Sequence, residues 1–133
     1  MKVVVSSTGT TLDAQVDPRF GRCRFFIVVD TENLNFESVP NQSLTQAHGA
    51  GIAAAQLVAK LGVEAVITGH VGPNAHMALS HTGIIAVTGA SGTVEKAVES
   101  YLNGQLSQAN SPTVDGHFGQ GGGRGGGRGR NRV

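Results

Sequence analysis

Asp17-Pro18-Arg19-Phe20-Gly21-Arg22-Cys23 closes a stretch, residues 7–22, that shows no clear periodicity and lies between two apolar runs. A loop of that length inside a small domain is usually functional or mobile. The run before it, Lys2-Val3-Val4-Val5-Ser6, is β-branched and bounded by Ser7, Thr8, Gly9 and Thr10, the pattern of a buried central strand. The run after it, residues 24–30 (Arg-Phe-Phe-Ile-Val-Val-Asp), predicts a second strand. Thr31-Glu32-Asn33 then turns the chain into a third strand over 34–39, with Leu34, Phe36 and Ser38 on one face.

Downstream of Pro40 the pattern alternates between helix and strand. A polar connection, 41–48, leads to Gly49-Ala50-Gly51 and a helix over 52–61 that Gly62 ends. Residues 64–68 predict a buried strand, Pro73 suits the first turn of a helix over 75–81, and 84–88 predict a fifth strand. In the third helix Val94, Ala97, Val98, Tyr101 and Leu102 recur at i, i+3, i+4, i+7 and i+8, with Thr93 as N-cap and Gly104 as stop.

A meander of the first three strands, followed by right-handed crossovers through the helices, predicts an α/β fold with a mixed five-stranded sheet in the order 3-2-1-4-5. The loops after strands one, three, four and five then leave at one edge, where the strand order reverses and open sheets bind ligands. Ser6, Ser7, Thr8, Arg19, Phe20, Arg22, Cys23, His48, His70 and several close-set glycines fall there. Three helix N-termini, each preceded by glycine, point to the same edge, and their free N–H groups favour an anion. The expected ligand is compact, anionic and metal-containing.

Composition limits the classes of function. The 133 residues suit one domain, 1–107, with a disordered Gly/Arg-rich tail, 108–133. Residues 1–118 carry six basic against nine acidic groups, so the body is no broad nucleic-acid-binding surface, and any such binding falls to Arg124, Arg128, Arg130 and Arg132. Cys23 is the only cysteine, which excludes an intrachain disulfide and a cluster held by several cysteine thiolates. No long apolar run suits a membrane and no signal peptide is recognisable, so a cytoplasmic monomer is expected.

Taken as a series, 16–22 with Phe25 and Phe26, His48-Gly49-Ala50-Gly51, Gly69 with Gly72, and Gly83-Ile84 through Gly89-Ala90-Ser91-Gly92-Thr93-Val94 to Tyr101-Leu102-Asn103-Gly104-Gln105-Leu106 resemble the dinitrogenase iron-molybdenum cofactor biosynthesis domain family. The resemblance covers about residues 1–107. It implies a ribonuclease-H-like fold and non-catalytic handling of iron-sulfur or molybdenum-sulfur clusters, or their precursors, between cofactor donor and acceptor proteins. Nitrogen-fixation accessory proteins use such a domain as a carrier, and small stand-alone members occur outside nitrogen fixation. Some relatives carry a His-rich tail where this chain has Gly and Arg.

The candidate cofactor contacts are Ser6, Phe20, Gly21, Arg22, His48, Gly49, Gly69, His70, Gly72 and Gly89, with Cys23, His48 and His70 as candidate metal ligands. Each has a plainer reading. Arg22 could pair with Asp17 or Asp13, Phe20 could plug the core, Cys23 could be a small buried hydrophobe, and a loop histidine could be polar surface. His76 and His81 fall inside helix two, and His117 in the tail. A nuclease would need clustered carboxylates, one of them on the first strand, and Lys2-Val3-Val4-Val5-Ser6 has none. Gly89-Ala90-Ser91-Gly92 also lacks the Lys-Ser/Thr ending of a phosphate loop. Two alternatives stand beside the carrier: an RNA-associating protein working through the Gly/Arg tail, and a mononucleotide-binding module, for which no acid is clearly placed for a ribose.

Overall fold

β1 (Lys2–Ser7) is the central strand, with Val3, Val4 and Val5 each wholly buried in the computed structural model, which describes residues 1–44 and 49–113. Burial on both faces is what a continuous β-branched run without polar alternation requires. β1 pairs antiparallel with β2 (Phe25–Asp30), Val5 opposite Ile27, and β2 pairs antiparallel with β3 (Phe36–Pro40). On its other side β1 lies parallel to β4 (Ala65–Ile67), which lies parallel to β5 (Ile85–Thr88). This is the ribonuclease-H-like α/β arrangement expected, with the first five strands in the order 3-2-1-4-5.

The strand count differs. A sixth strand, β6 (Ser107–Gln108), pairs antiparallel with β5, so the sheet runs 3-2-1-4-5-6. Two exposed polar residues carry no alternation from which a strand could be read. Residues 108–113, which the boundary at 107 left to the tail, are held by backbone bonds: Ala109 N donates to Ala86 O at 2.7 Å and Thr113 N to Val71 O at 2.8 Å. The remaining tail lies outside the described residues.

The sheet separates two apolar layers, and the period of two in β1 divides its valines between them. Val4 joins Phe20, Phe26 and Val28 beneath α1 (Ala50–Ala59) and α2 (Pro73–His81). Val3 and Val5 join Ile27, Val29 and Ile67 beneath α3 (Val94–Leu102). α3 keeps the limits its spacing predicted, with Lys96 N donating to the Thr93 hydroxyl at 3.1 Å. α1 begins earlier than expected because Gly49, at φ 75°, turns the chain into it. β3 begins later because Leu34, at φ 60°, is still part of the turn. Among the described residues no helix is long and apolar enough to cross a membrane.

Candidate functional site

Past β1 the chain is pinned by hydroxyls and main-chain groups at the edge where β1, β4 and β5 end. Ser6 Oγ donates to the Asp17 carbonyl at 2.6 Å and lies 2.7 Å from Thr68 Oγ1, and Asp17 N donates to Ser6 O at 2.9 Å. His70 N donates to Pro18 O at 2.8 Å, and Arg19 and His70 form a parallel bridge. The returning loop thus runs on as a neighbour of the chain leaving β4. Asp17 is buried, and its carboxylate accepts from the Arg19 N–H at 3.0 Å and from Arg19 Nε at 3.3 Å. The partner of Asp17 is therefore Arg19, two residues away, rather than Arg22. Asp13 accepts from the Thr11 hydroxyl.

The first half of the loop lies over α3. Val94 N donates to Ala14 O and Glu95 N to Leu12 O, both at 2.9 Å, while Val16 N donates to Gly92 O at 2.8 Å. This corrects the expectation of three open helix N-termini at the edge, because the loop carbonyls and the Thr93 hydroxyl occupy the first N–H groups of α3. α1 and α2 are different. Their N-caps, Gly49 and Gly72, make no side-chain cap bond, and α2 opens with Pro73, which has no N–H.

A one-turn 3₁₀ helix, Phe20–Arg22, packs on the start of α1, which packs in turn on the start of α2. A Cβ on Gly21 would lie 3.1 Å from the Gly51 backbone, and one on Gly51 would lie 3.2 Å from Ala75 Cβ. The turn, the first turn of α1 and the first turn of α2 therefore pack almost backbone to backbone. Phe20 fixes the turn from below, its ring 5.5 Å from that of Phe26 and its side chain buried, so its place is in the core. Arg22 is half-buried on the turn and donates to Leu44 O at 3.2 Å.

Cys23 is wholly buried, with Sγ 3.4 Å from Phe20 O and 3.7 Å from Asn41 Nδ2. Burial, followed by the nearby Asp17 charge, pushes its thiol up to about 12. In this arrangement the side chain lies in the core with Phe20 and Phe26, where it packs as a small apolar group. Asn41, absent from the candidates, donates to the Cys23 carbonyl at 2.8 Å and fastens the end of β3 to the turn. Its sequence signal was slight: a polar residue directly after Pro40.

The other candidates divide by position. Ser6 is buried beneath the loop, Gly69 is buried against Pro18, and Gly72 starts α2. Gly89, at φ 85°, is exposed in the turn after β5 and donates to Gly69 O at 2.9 Å. His70 is exposed at the edge. His76 is bound through Nε2 to Ala109 O at 2.9 Å, and His81 is exposed in the last turn of α2. His48 and His117 lie outside the described residues, among which no three His, Cys, Asp or Glu side chains gather to hold a metal ion. What the described edge offers is a guanidinium, an imidazole and two glycine-capped helix starts, a donor set suited to an anion.

The family model described as dinitrogenase iron-molybdenum cofactor matches residues 1–104. The apo orange protein of Desulfovibrio gigas is 44% identical and superposes with a TM-score of 0.82 over 84% of this chain and 95% of that one. A Thermotoga protein proposed to be a NifB protein is 35% identical, with a TM-score of 0.74 over 84% and 96%. An uncharacterised protein of Methanocaldococcus jannaschii is 31% identical over 97 residues, 71% of this chain and 82% of that protein.

Proposed function

The chain belongs to the dinitrogenase iron-molybdenum cofactor family, and from that premise we propose that it is a non-catalytic carrier of an anionic iron-sulfur or molybdenum-sulfur cluster, or of a cluster precursor. The cargo sits where the turn Phe20–Arg22 meets the start of α1 and α1 meets the start of α2, with Arg22 and His70 beside it. Support comes from one observation above all, the packing of Gly21 on Gly51 and of Gly51 on Ala75, which draws an arginine-bearing turn and two helix starts together. A sulfur-rich anion brings its own ligands, and a guanidinium can fork onto an oxo or sulfido edge as it does onto phosphate. His70 supplies a single imidazole suited to iron. The relation to the orange protein, characterised in an apo form, supports a loaded form here too.

In this reading the protein acts in the cytoplasm as a monomer, between a protein that supplies the cluster and one that accepts it. The test is anaerobic purification from a metal-competent host, with visible absorption and analysis for iron, molybdenum and sulfide. Stoichiometric metal and sulfide, lost in Arg22→Gln, is the expected result. Colourless protein that also refuses reconstitution with iron and sulfide and with thiomolybdate would overturn it.

A further inference from the structure

After β6 the chain stays on the molecule. Ala109 N donates to Ala86 O at 2.7 Å, the Ala109 carbonyl meets His76 Nε2 at 2.9 Å, and Ala109 packs against the core that holds Val71 and Phe20. Pro112, whose ring fixes its φ and which has no N–H to satisfy, then brings the chain to Thr113 beside Val71. Thr113 N donates to Val71 O at 2.8 Å, its hydroxyl accepts from Val71 N at 2.9 Å, and that hydroxyl lies 3.3 Å from Val71 O. Val71 is buried, and among the described residues Thr113 is the partner of both its main-chain groups. A buried N–H without an acceptor is costly, so the Thr113 hydroxyl lets the chain after β4 keep this path.

That path carries His70. Gly69, His70 and Val71 are each held by a different segment: Gly69 O accepts from Gly89 N at 2.9 Å, His70 N donates to Pro18 O at 2.8 Å, and Val71 is clamped by Thr113. The first two bonds come from the loops after β5 and β1. The third comes from beyond residue 104, where the family match ends. Gly72 and Pro73 follow at once, so the same clamp sets the start of α2. We infer that Thr113 is a positioning residue of the cargo edge, acting through Val71 to hold the His70 imidazole and the first turn of α2 where the cargo meets them. The inference rests on the carrier reading, and deepens it by adding a residue that supports the site without touching the cargo.

The test uses full-length chains and two readouts. In cargo-free protein, amide hydrogen exchange at Val71 reports the clamp: Thr113→Val, which keeps the shape and loses the hydroxyl, should speed it about tenfold, and Thr113→Ser should leave it unchanged. The second readout is release of bound tetrathiomolybdate, which should be about fivefold faster in Thr113→Val, unchanged in Thr113→Ser, and little altered when Thr113→Val is added to His70→Ala. Unchanged exchange at Val71 in Thr113→Val overturns the clamp. Faster exchange with unchanged probe release makes Thr113 a purely structural residue, which overturns the inference and leaves the carrier reading standing. Equal acceleration by Val and Ser, or the full fivefold effect in the His70→Ala chain, overturns it as well. Failure of the unaltered chain to take up the probe overturns the carrier reading and the inference with it.

Discussion

Gly69 lies so close to Pro18 that a methyl group on Gly69 would fall 2.7 Å from both Cα and Cβ of the proline. That approach lets His70 N reach Pro18 O and sets the height of the whole loop above the sheet. Gly69→Ala must therefore displace the loop or the end of β4. A loss of about 3 kcal/mol is expected, at the upper end of overpacking costs, read as a lower urea midpoint with an unchanged slope. A midpoint within error of the unaltered protein would show that the loop gives way without cost.

Gly21→Ala should act more locally. The added methyl meets the Gly51 backbone at 3.1 Å, so the turn must lift from α1 by a few tenths of an ångström, at about 1 kcal/mol. Arg22 moves with it. Cargo retention should fall by more than the loss of stability alone explains, measured as probe release at a temperature where the variant is fully folded.

The buried hydroxyl pair Ser6 and Thr68 offers a coupling measurement. Ser6→Ala leaves the Asp17 carbonyl without its donor and should cost about 1–2 kcal/mol. Thr68→Val removes the other hydroxyl. Because the two side chains touch, the double variant should lose less than the sum of the single losses, and strict additivity in urea unfolding would show that the hydroxyls do not act as a pair.

Cys23 predicts a pH dependence of definite sign. Its thiol is raised from 9.0 in the free state to about 12 in the folded chain, so the folded state binds the proton more tightly. The stability this confers is fully present below pH 9 and is lost as pH rises toward about 12. The stability difference between the unaltered protein and Cys23→Ala should therefore be flat below pH 9 and shrink above it. Alkylation of Cys23 near pH 8 should require unfolding, and fast labelling of the native protein would contradict its burial.

Much of the site's framework was legible in particular residues. Val94, Ala97, Val98 and Tyr101 declared α3 because a helix repeats its buried face every three to four residues, and Thr93 declared its start. The valines of β1 and the glycines before α1 and α2 placed the edge. Other choices were not visible locally. Either Arg19 or Arg22 could have met Asp17, and the backbone turn at Pro18 selected Arg19. Cys23 could have faced the edge, and the turn Phe20–Arg22 rolled it into the core.

By itself the sequence determined the kinds and order of the elements, the sheet order from β3 to β5 and the edge at which the loops gather. These follow from period, capping and the handedness of crossovers, all properties of short stretches of chain. Only the tertiary structure decided that loop carbonyls fill the start of α3, that Gly21, Gly51 and Ala75 close on one another, and that Thr113 returns to Val71. Those contacts join residues far apart along the chain, and they depend on which surfaces meet once the core has packed, a condition no local pattern carries.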